Sequence, residues 1–263
     1  MNNVLIVLSA ADAWTRTDGS KYESGYWAEE FVVIHEKLAA AGCAIDIATP
    51  EGRKPTADAR SLDPNFAGPV ATHCAEYLDS LSDTLAVPLN LSHVDVHRYD
   101  AVVIPGGHGP MEDLYKDPAM ARVLFAADAA DKIIASVCHG PAALISATGA
   151  SGQWLFAGRR VTGLSDEEEI EFGTATNAPW LLAQRLRELG GKYEQGPNWA
   201  PFVVRDGRLI SGQNPASSAA VADEVIAALR EGSNLHATKN YAPSPAHRRD
   251  GSSRTASDSN IQS

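Results

Sequence analysis

An apolar run rich in β-branched residues, Ile133-Ile134-Ala135-Ser136-Val137, stops at Cys138 and is followed by His139-Gly140-Pro141 and a small-residue helical pattern. That order predicts a strand, a sharp turn carrying the thiol, and a helix, which is the geometry of a nucleophile elbow. A helix N-terminus aimed at the sulfur favours the thiolate, the form that attacks in covalent catalysis. Taken alone, a cysteine closing a buried strand is more often a small core residue. The residues around it shift the balance towards chemistry.

Gly106-Gly107 follows a second strong strand pattern, Tyr99 to Ile104. Ligands in open α/β sheets bind at the carboxyl edge of the strands, where both segments end. The Gly107 N–H and the N–H of His139, the residue after the nucleophile, are the expected oxyanion hole. His139 needs a carboxylate to fix its tautomer, and the run Asp166-Glu167-Glu168-Glu169 offers candidates, although most such runs are solvated helix starts. Glu29-Glu30, after Gly25, falls in the first turn of a predicted helix at the same edge, so one of the pair could reach the thiol.

The elements that must position these groups alternate. Asn3–Ser9 is a buried strand pattern, residues 28–40 have helical periodicity, and residues 43–49 form the next strand. This rhythm implies a parallel sheet with right-handed crossovers. Residues 50–69 are a Pro/Gly/Asp-rich connection, of a length that is often functional. Residues 72–83 and 119–130 are helical in pattern, as is the stretch from Pro179 to Leu189. A short strand is expected near 160–162, a hairpin turning at Asp206-Gly207, and a final helix over 216–229. The expected class is α/β: a flavodoxin-like sandwich with a mostly parallel central sheet, helices on both faces and the elbow. Residues 1–232 form one domain. Residues 233–263, rich in Ser, Ala, Asn and Pro, have the composition of a disordered tail.

The 263 residues and 44% hydrophobic content allow a sizeable core. A net charge of -11 argues against nucleic acid or an anionic membrane as partner. Three widely spaced cysteines give neither a disulfide framework nor a zinc pattern. The N-terminal apolar run is too short to span a membrane and lacks a basic leader. An exposed thiol suits a reducing cytoplasm, the expected location.

Five segments carry a resemblance: Ser24-Gly25-Tyr26-Trp27-Ala28-Glu29-Glu30, Pro105-Gly106-Gly107-His108-Gly109, Ala135-Ser136-Val137-Cys138-His139-Gly140-Pro141, residues 162–169, and Ser211-Gly212-Gln213-Asn214-Pro215-Ala216-Ser217. In this order they are similar to the ThiJ/PfpI superfamily of the class I glutamine amidotransferase-like fold, within its heat-shock chaperone and glyoxalase III branch. The resemblance implies Cys138 as nucleophile, His139 as its histidine, Glu169 as the acid that orients His139, and Glu30 as the acidic partner of the thiol. It places Trp199 on an aromatic wall. His108 and Trp27, inside two of the motifs, are the further expected substrate contacts. Residues 176–182 look like a branch variant able to form a lid.

The function implied is a glyoxalase III-like lyase converting methylglyoxal to D-lactate without glutathione, metal or other cofactor, in a homodimer. The enzymatic rival is a cysteine hydrolase (peptidase, amidase or deglycase), since the same nucleophile and oxyanion hole serve acyl transfer. The non-enzymatic rival is a holdase chaperone or stress-response protein using an exposed apolar patch. A metal site has little support: His93-x-x-x-His97 has no helical context and no third ligand.

Overall fold

The strands and helices of the computed structural model, which describes residues 1–239, follow one another in short units. The strands are β1 (Asn3–Val7), β2 (Ala13–Thr15), β3 (Lys21–Glu23), β4 (Ala44–Thr49), β5 (Leu89–Asn90), β6 (Ala101–Ile104), β7 (Ile133–Val137), β8 (Arg160–Val161), β9 (Lys192–Tyr193), β10 (Val203–Asp206) and β11 (Leu209–Gly212). The helices are α1 (Ala28–Ala40), α2 (Pro64–Ala67), α3 (Val70–Ser80), α4 (Ser82–Ala86), α5 (Pro118–Ala129), α6 (Asp166–Phe172), α7 (Leu182–Glu188) and α8 (Ser218–Lys239). The compositional tail at 233–263 lies, from residue 240 on, outside the described residues.

Seven strands form the central sheet in the order β10-β11-β7-β6-β1-β4-β5. All neighbours are parallel except the β10–β11 hairpin, which turns at Asp206-Gly207. The chain is therefore a mixed α/β protein with a mostly parallel sheet. Strand alternation feeds two cores. Val4 and Ile6 of β1 face one side with Phe31 and Ile34 of α1, Cys74 of α3 and Val221 and Val225 of α8. Leu5 and Val7 face the other with Met120 and Leu124 of α5 and Leu182 and Leu186 of α7. Strands buried on both faces need continuous apolar runs, which is why β1, β6 and β7 stand out in the sequence.

Residues 50–69 are not structureless. They form three short helical turns, Pro50–Gly52, Ala59–Leu62 and α2, the last two held by side-chain caps from Asp58 and Asp63. Polar capping chemistry hides helical turns too short to show a 3.6-residue period. The segment after the elbow is a seven-residue 3-10 helix, Gly140–Ser146, rather than a full α-helix. Among the described residues no helix is long and apolar enough to cross a membrane.

Candidate active site

β7 delivers Cys138 to the carboxyl edge of the sheet in a left-handed backbone conformation, φ 59°. Such a φ is costly for a residue with a Cβ and persists only where its surroundings fix it. Here Cys138 N–H donates to the Gly212 carbonyl at 3.0 Å, and its own carbonyl accepts from Leu164 N–H at 2.9 Å. The turn passes so close to β6 that a Cβ on Gly140 would lie 2.1 Å from the Ile104 carbonyl oxygen. Only glycine fits there.

The turn sets the His139 ring beside the sulfur, with Nδ1 3.6 Å from Cys138 Sγ. His139 Nε2 donates to Glu169 Oε2 at 2.5 Å. Because the carboxylate is acceptor-only, the proton sits on Nε2 and the Nδ1 lone pair faces the thiol. Glu169, and not Glu167 or Glu168, takes this bond. Its other oxygen, Oε1, accepts from His108 Nε2 at 2.7 Å and from the Thr174 hydroxyl. Helix α6 presents Glu169 from its first turn, begun by a Ser165–Glu168 capping box.

Glu168 is buried too, but faces elsewhere. It accepts from Ser165 N–H at 3.0 Å, Trp199 N–H at 2.8 Å and Asn214 Nδ2 at 2.8 Å. Glu167 is exposed and bonds Gln195 at 3.0 Å. The acidic run thus divides into a solvated residue, a structural brace and a ligand of the histidines.

Glu30 comes from the first turn of α1 and is fully buried. Its Oε2 accepts from Gly106 N–H at 2.6 Å. A Cβ on Gly106 would lie 2.9 Å from that oxygen and 2.6 Å from the His139 nitrogen, so glycine is what lets the carboxyl in. Oε1 of Glu30 has no hydrogen-bond partner within normal distance, and the Cys138 thiol is the neighbour that couples to it. The Gly107 N–H faces the same sulfur.

Cys138 opens into a cavity of about 490 Å³. Trp27, His108, His139, Gly107 and Trp199 line it, with Phe66, Phe172, Glu29 and Glu171. Residues 176–182 do not. The lid expected there is tied away instead, with Thr17 N–H on the Asn177 carbonyl, Asn177 Nδ2 on Asp18 and Trp180 packed on Tyr115.

Residues 23–228 match the DJ-1/PfpI family. The chain belongs to it. It is 30% identical over 181 residues to glutamine amidotransferase-like class 1 domain-containing protein 1 of Bos taurus, covering 69% of this chain and 78% of that one. It is 28% identical to glyoxalase 3 of Candida albicans, over 87% of this chain and 99% of the relative. It is 29% identical to the protein/nucleic acid deglycase HchA of Pseudomonas aeruginosa, over 76% and 72%. Solved structures of the Francisella tularensis rapid encystment protein (28% identity, TM-score 0.77, covering 87% of this chain and 99% of that one) and of C. albicans glyoxalase III (25%, TM-score 0.73, 86% and 97%) share the architecture.

The electrostatics of this family member's site correct one expectation. The Cys138 thiol is pushed well above its ordinary pKa, by burial first and then by the Glu30 carboxyl. A short 3-10 turn has a weaker dipole than a full helix and does not offset this. Burial and Glu30 both favour the thiol over the thiolate. Burial also pushes Glu30 up to about 8, against the Gly106 hydrogen bond and the Cys138 thiol, which pull it down, so it is mostly neutral at pH 7. Burial would raise Glu169 as well, but the two imidazoles outweigh it and hold the carboxyl well below the usual range. Burial and the neighbouring His139 lower His108, which therefore stays neutral.

Glu30→Gln is expected to stabilise the protein at neutral pH. The folded-state pKa lies above the ordinary 4.5, so the stability Glu30 contributes is intact below pH 4.5 and is lost as pH rises to about 8. Integrated to pH 7, the cost of keeping the carboxyl neutral is at most about 3 kcal/mol. Glutamine keeps the Gly106 bond without that cost. Denaturant melts from pH 4 to 8 should show a gap between variant and wild type that opens with pH. A pH-independent gap would mean that Glu30 is not held neutral.

The donor atoms of His108, His139 and Glu169 lie within 4.8 Å of one another, which makes them a candidate metal triad. Each imidazole instead sits in direct contact with a carboxylate oxygen. An ion with bonds of about 2.0–2.1 Å would have to part each pair to roughly 3.3 Å. The residues fit hydrogen bonding as they stand.

Residue types and spacing missed four contributors. Phe66, Glu171 and Phe172 shape the cavity, and Thr174 completes the Glu169 contacts. An aromatic in a loop or at a helix end carries no periodic signal. His108 was expected against substrate. It does border the cavity, but it is buried between Trp14 (4.9 Å) and His139 (4.2 Å), and its Nε2 is committed to Glu169.

Proposed function

We propose that this protein is a cofactor-independent lyase of the glyoxalase III type, acting on a 2-oxoaldehyde such as methylglyoxal. The observation that carries the reading is the chain Cys138 Sγ, His139 Nδ1, His139 Nε2, Glu169 Oε2 at a mostly apolar cavity. The similarity to glyoxalase 3 of Candida albicans supports a small carbonyl substrate there.

His139 Nδ1 takes the thiol proton as Cys138 sulfur bonds to the aldehyde carbon. The carbonyl electrons move to oxygen, where the Gly107 and His139 N–H groups receive the charge. Neither N–H is committed to a backbone carbonyl of the described residues. The imidazolium returns the proton to that oxygen, giving a hemithioacetal. His139 then removes the proton from the former aldehyde carbon, and the neighbouring carbonyl becomes an enediol. Protonation at that second carbon leaves a thioester on Cys138. Water cleaves the thioester to release the 2-hydroxy acid and restore the thiol. Neutral Glu30 can donate a hydrogen bond to sulfur as negative charge builds there. Glu169 stays ionised and stabilises the imidazolium.

Purified protein should convert methylglyoxal to lactate without glutathione and after chelation. The assay follows loss of dicarbonyl and appearance of lactate together. Loss of dicarbonyl without lactate would overturn the lyase reading. The similarity to a deglycase favours a second reading, hydrolysis of carbonyl adducts on amines by the same nucleophile. Release of free amine from a preformed adduct, faster than free methylglyoxal is consumed, would select it.

A further inference from the structure

The cavity is several times larger than a three-carbon aldehyde requires, and its lining has a consistent charge pattern. No lysine or arginine borders it, but the carboxylates of Glu29 and Glu171 do. Neither is ion-paired among the described residues. Glu171 accepts only from neutral donors, Trp199 Nε1 at 2.6 Å and Asn198 Nδ2 at 2.9 Å, so its charge is not cancelled. Glu29 is half-buried, and burial raises its pKa. A neighbouring cation would draw it back down.

The remaining wall is aromatic. Phe172 lies 5.9 Å from Trp27, 5.5 Å from Phe66 and 6.3 Å from Trp199, mostly edge to face. Aromatic faces attract cations, and more strongly where water is excluded. The indole N–H of Trp27 is buried in the same wall, where it interacts with the Glu29 carboxyl and favours its ionised form. The Arg60 guanidinium lies behind this wall, 4.2 Å from the Phe172 ring and 5.3 Å from the Phe66 ring. It pairs with Asp58 at 3.6 Å and is not among the residues bordering the cavity. A carboxylate or phosphate on the part of a substrate remote from the Gly107 and His139 N–H groups would meet two like charges and no bordering cation.

We propose that this cavity selects carbonyl substrates bearing a cationic substituent, an ammonium or alkylated ammonium group, recognised by Glu29, Glu171 and the faces of Trp27, Phe172 and Trp199. The substrate class rests on Cys138 being the nucleophile of the preceding section, whereas the cation preference is a property of the cavity itself.

Three arylglyoxals of one shape test it: phenylglyoxal, 4-carboxyphenylglyoxal and 4-(trimethylammonio)phenylglyoxal. At low ionic strength kcat/KM should rank cation, neutral, anion. The cation-to-anion ratio should be about 30-fold, from roughly one screened charge interaction per carboxylate, and should shrink with salt. Glu29→Gln should lower that ratio severalfold, chiefly through KM. Calorimetry with benzyltrimethylammonium and benzoate gives a readout free of turnover, in which only the cation should bind and Glu29→Gln should weaken it. Equal handling of cation and anion, or a ratio untouched by Glu29→Gln, overturns the proposal. If no arylglyoxal is consumed but the cation still binds, the lyase reading fails and the selectivity stands.

Discussion

Replacing Cys138 with alanine is expected to lower turnover of a 2-oxoaldehyde by more than roughly 10³-fold, the usual consequence of removing a covalent nucleophile. Cys138 is the one cysteine bordering the cavity, since Cys74 is packed in the core between α1 and α3 and Cys43 precedes β4. The fold should survive. Alanine pays the same backbone cost at φ 59° as cysteine does, and the Gly212 and Leu164 hydrogen bonds that hold the turn are backbone bonds. Steady-state rates with methylglyoxal, read beside thermal melts, check this. A folded variant retaining more than a few per cent of the rate would remove the covalent mechanism. Cys43→Ala should leave the rate near wild type.

Glu169→Gln should cost about 10² to 10⁴ in kcat/KM, because the amide no longer fixes the histidine proton on Nε2 or stabilises the imidazolium. The geometry makes this site unusually dependent on one carboxylate. Two imidazoles and a threonine hydroxyl all donate to it, and a glutamine has one acceptor oxygen for the three. The amide NH₂ must then face at least one N–H donor. The adjacent acids separate the causes. Glu167→Gln, at an exposed position, should be nearly silent. Glu168→Gln should lower stability by about 1–3 kcal/mol, since three donors converge on that buried carboxylate. Chemical denaturation and kcat/KM together check the series. Near wild-type catalysis by a folded Glu169→Gln variant would sink the triad reading.

How much of this was legible in the sequence differs by element. β1, β6 and β7 announced themselves because strands buried on both faces must be continuously apolar. The elbow was legible because a β-branched strand ends abruptly at Cys138 and Gly140-Pro141 follows; the positive φ of Cys138 came only from the structure. The 50–69 segment was opaque. Its last two turns are held by Asp58 and Asp63 side chains and not by a periodic apolar face. Glu168 and Glu169 were both candidates by composition alone. On a helix they point about 100° apart, so one reaches the histidines and the other the Trp199 backbone.

By itself the sequence determined the carriers of the chemistry and the edge at which they meet: a cysteine and histidine in consecutive positions on a strand-to-helix turn, glycines where another strand ends, and acids at two helix starts. Those are local facts, set by chain direction and by which backbone conformations a residue tolerates. Only the tertiary structure decided their protonation. Burial of Cys138 against Glu30 reverses the thiolate expected from a helix N-terminus, because desolvation of a buried charge outweighs the dipole of one short turn. Only the tertiary structure, too, gathered His108 and Thr174 onto Glu169 and joined Glu29, Phe66, Glu171 and Phe172 into one cavity wall. Such contacts join residues far apart in the chain, and no local pattern encodes their distance.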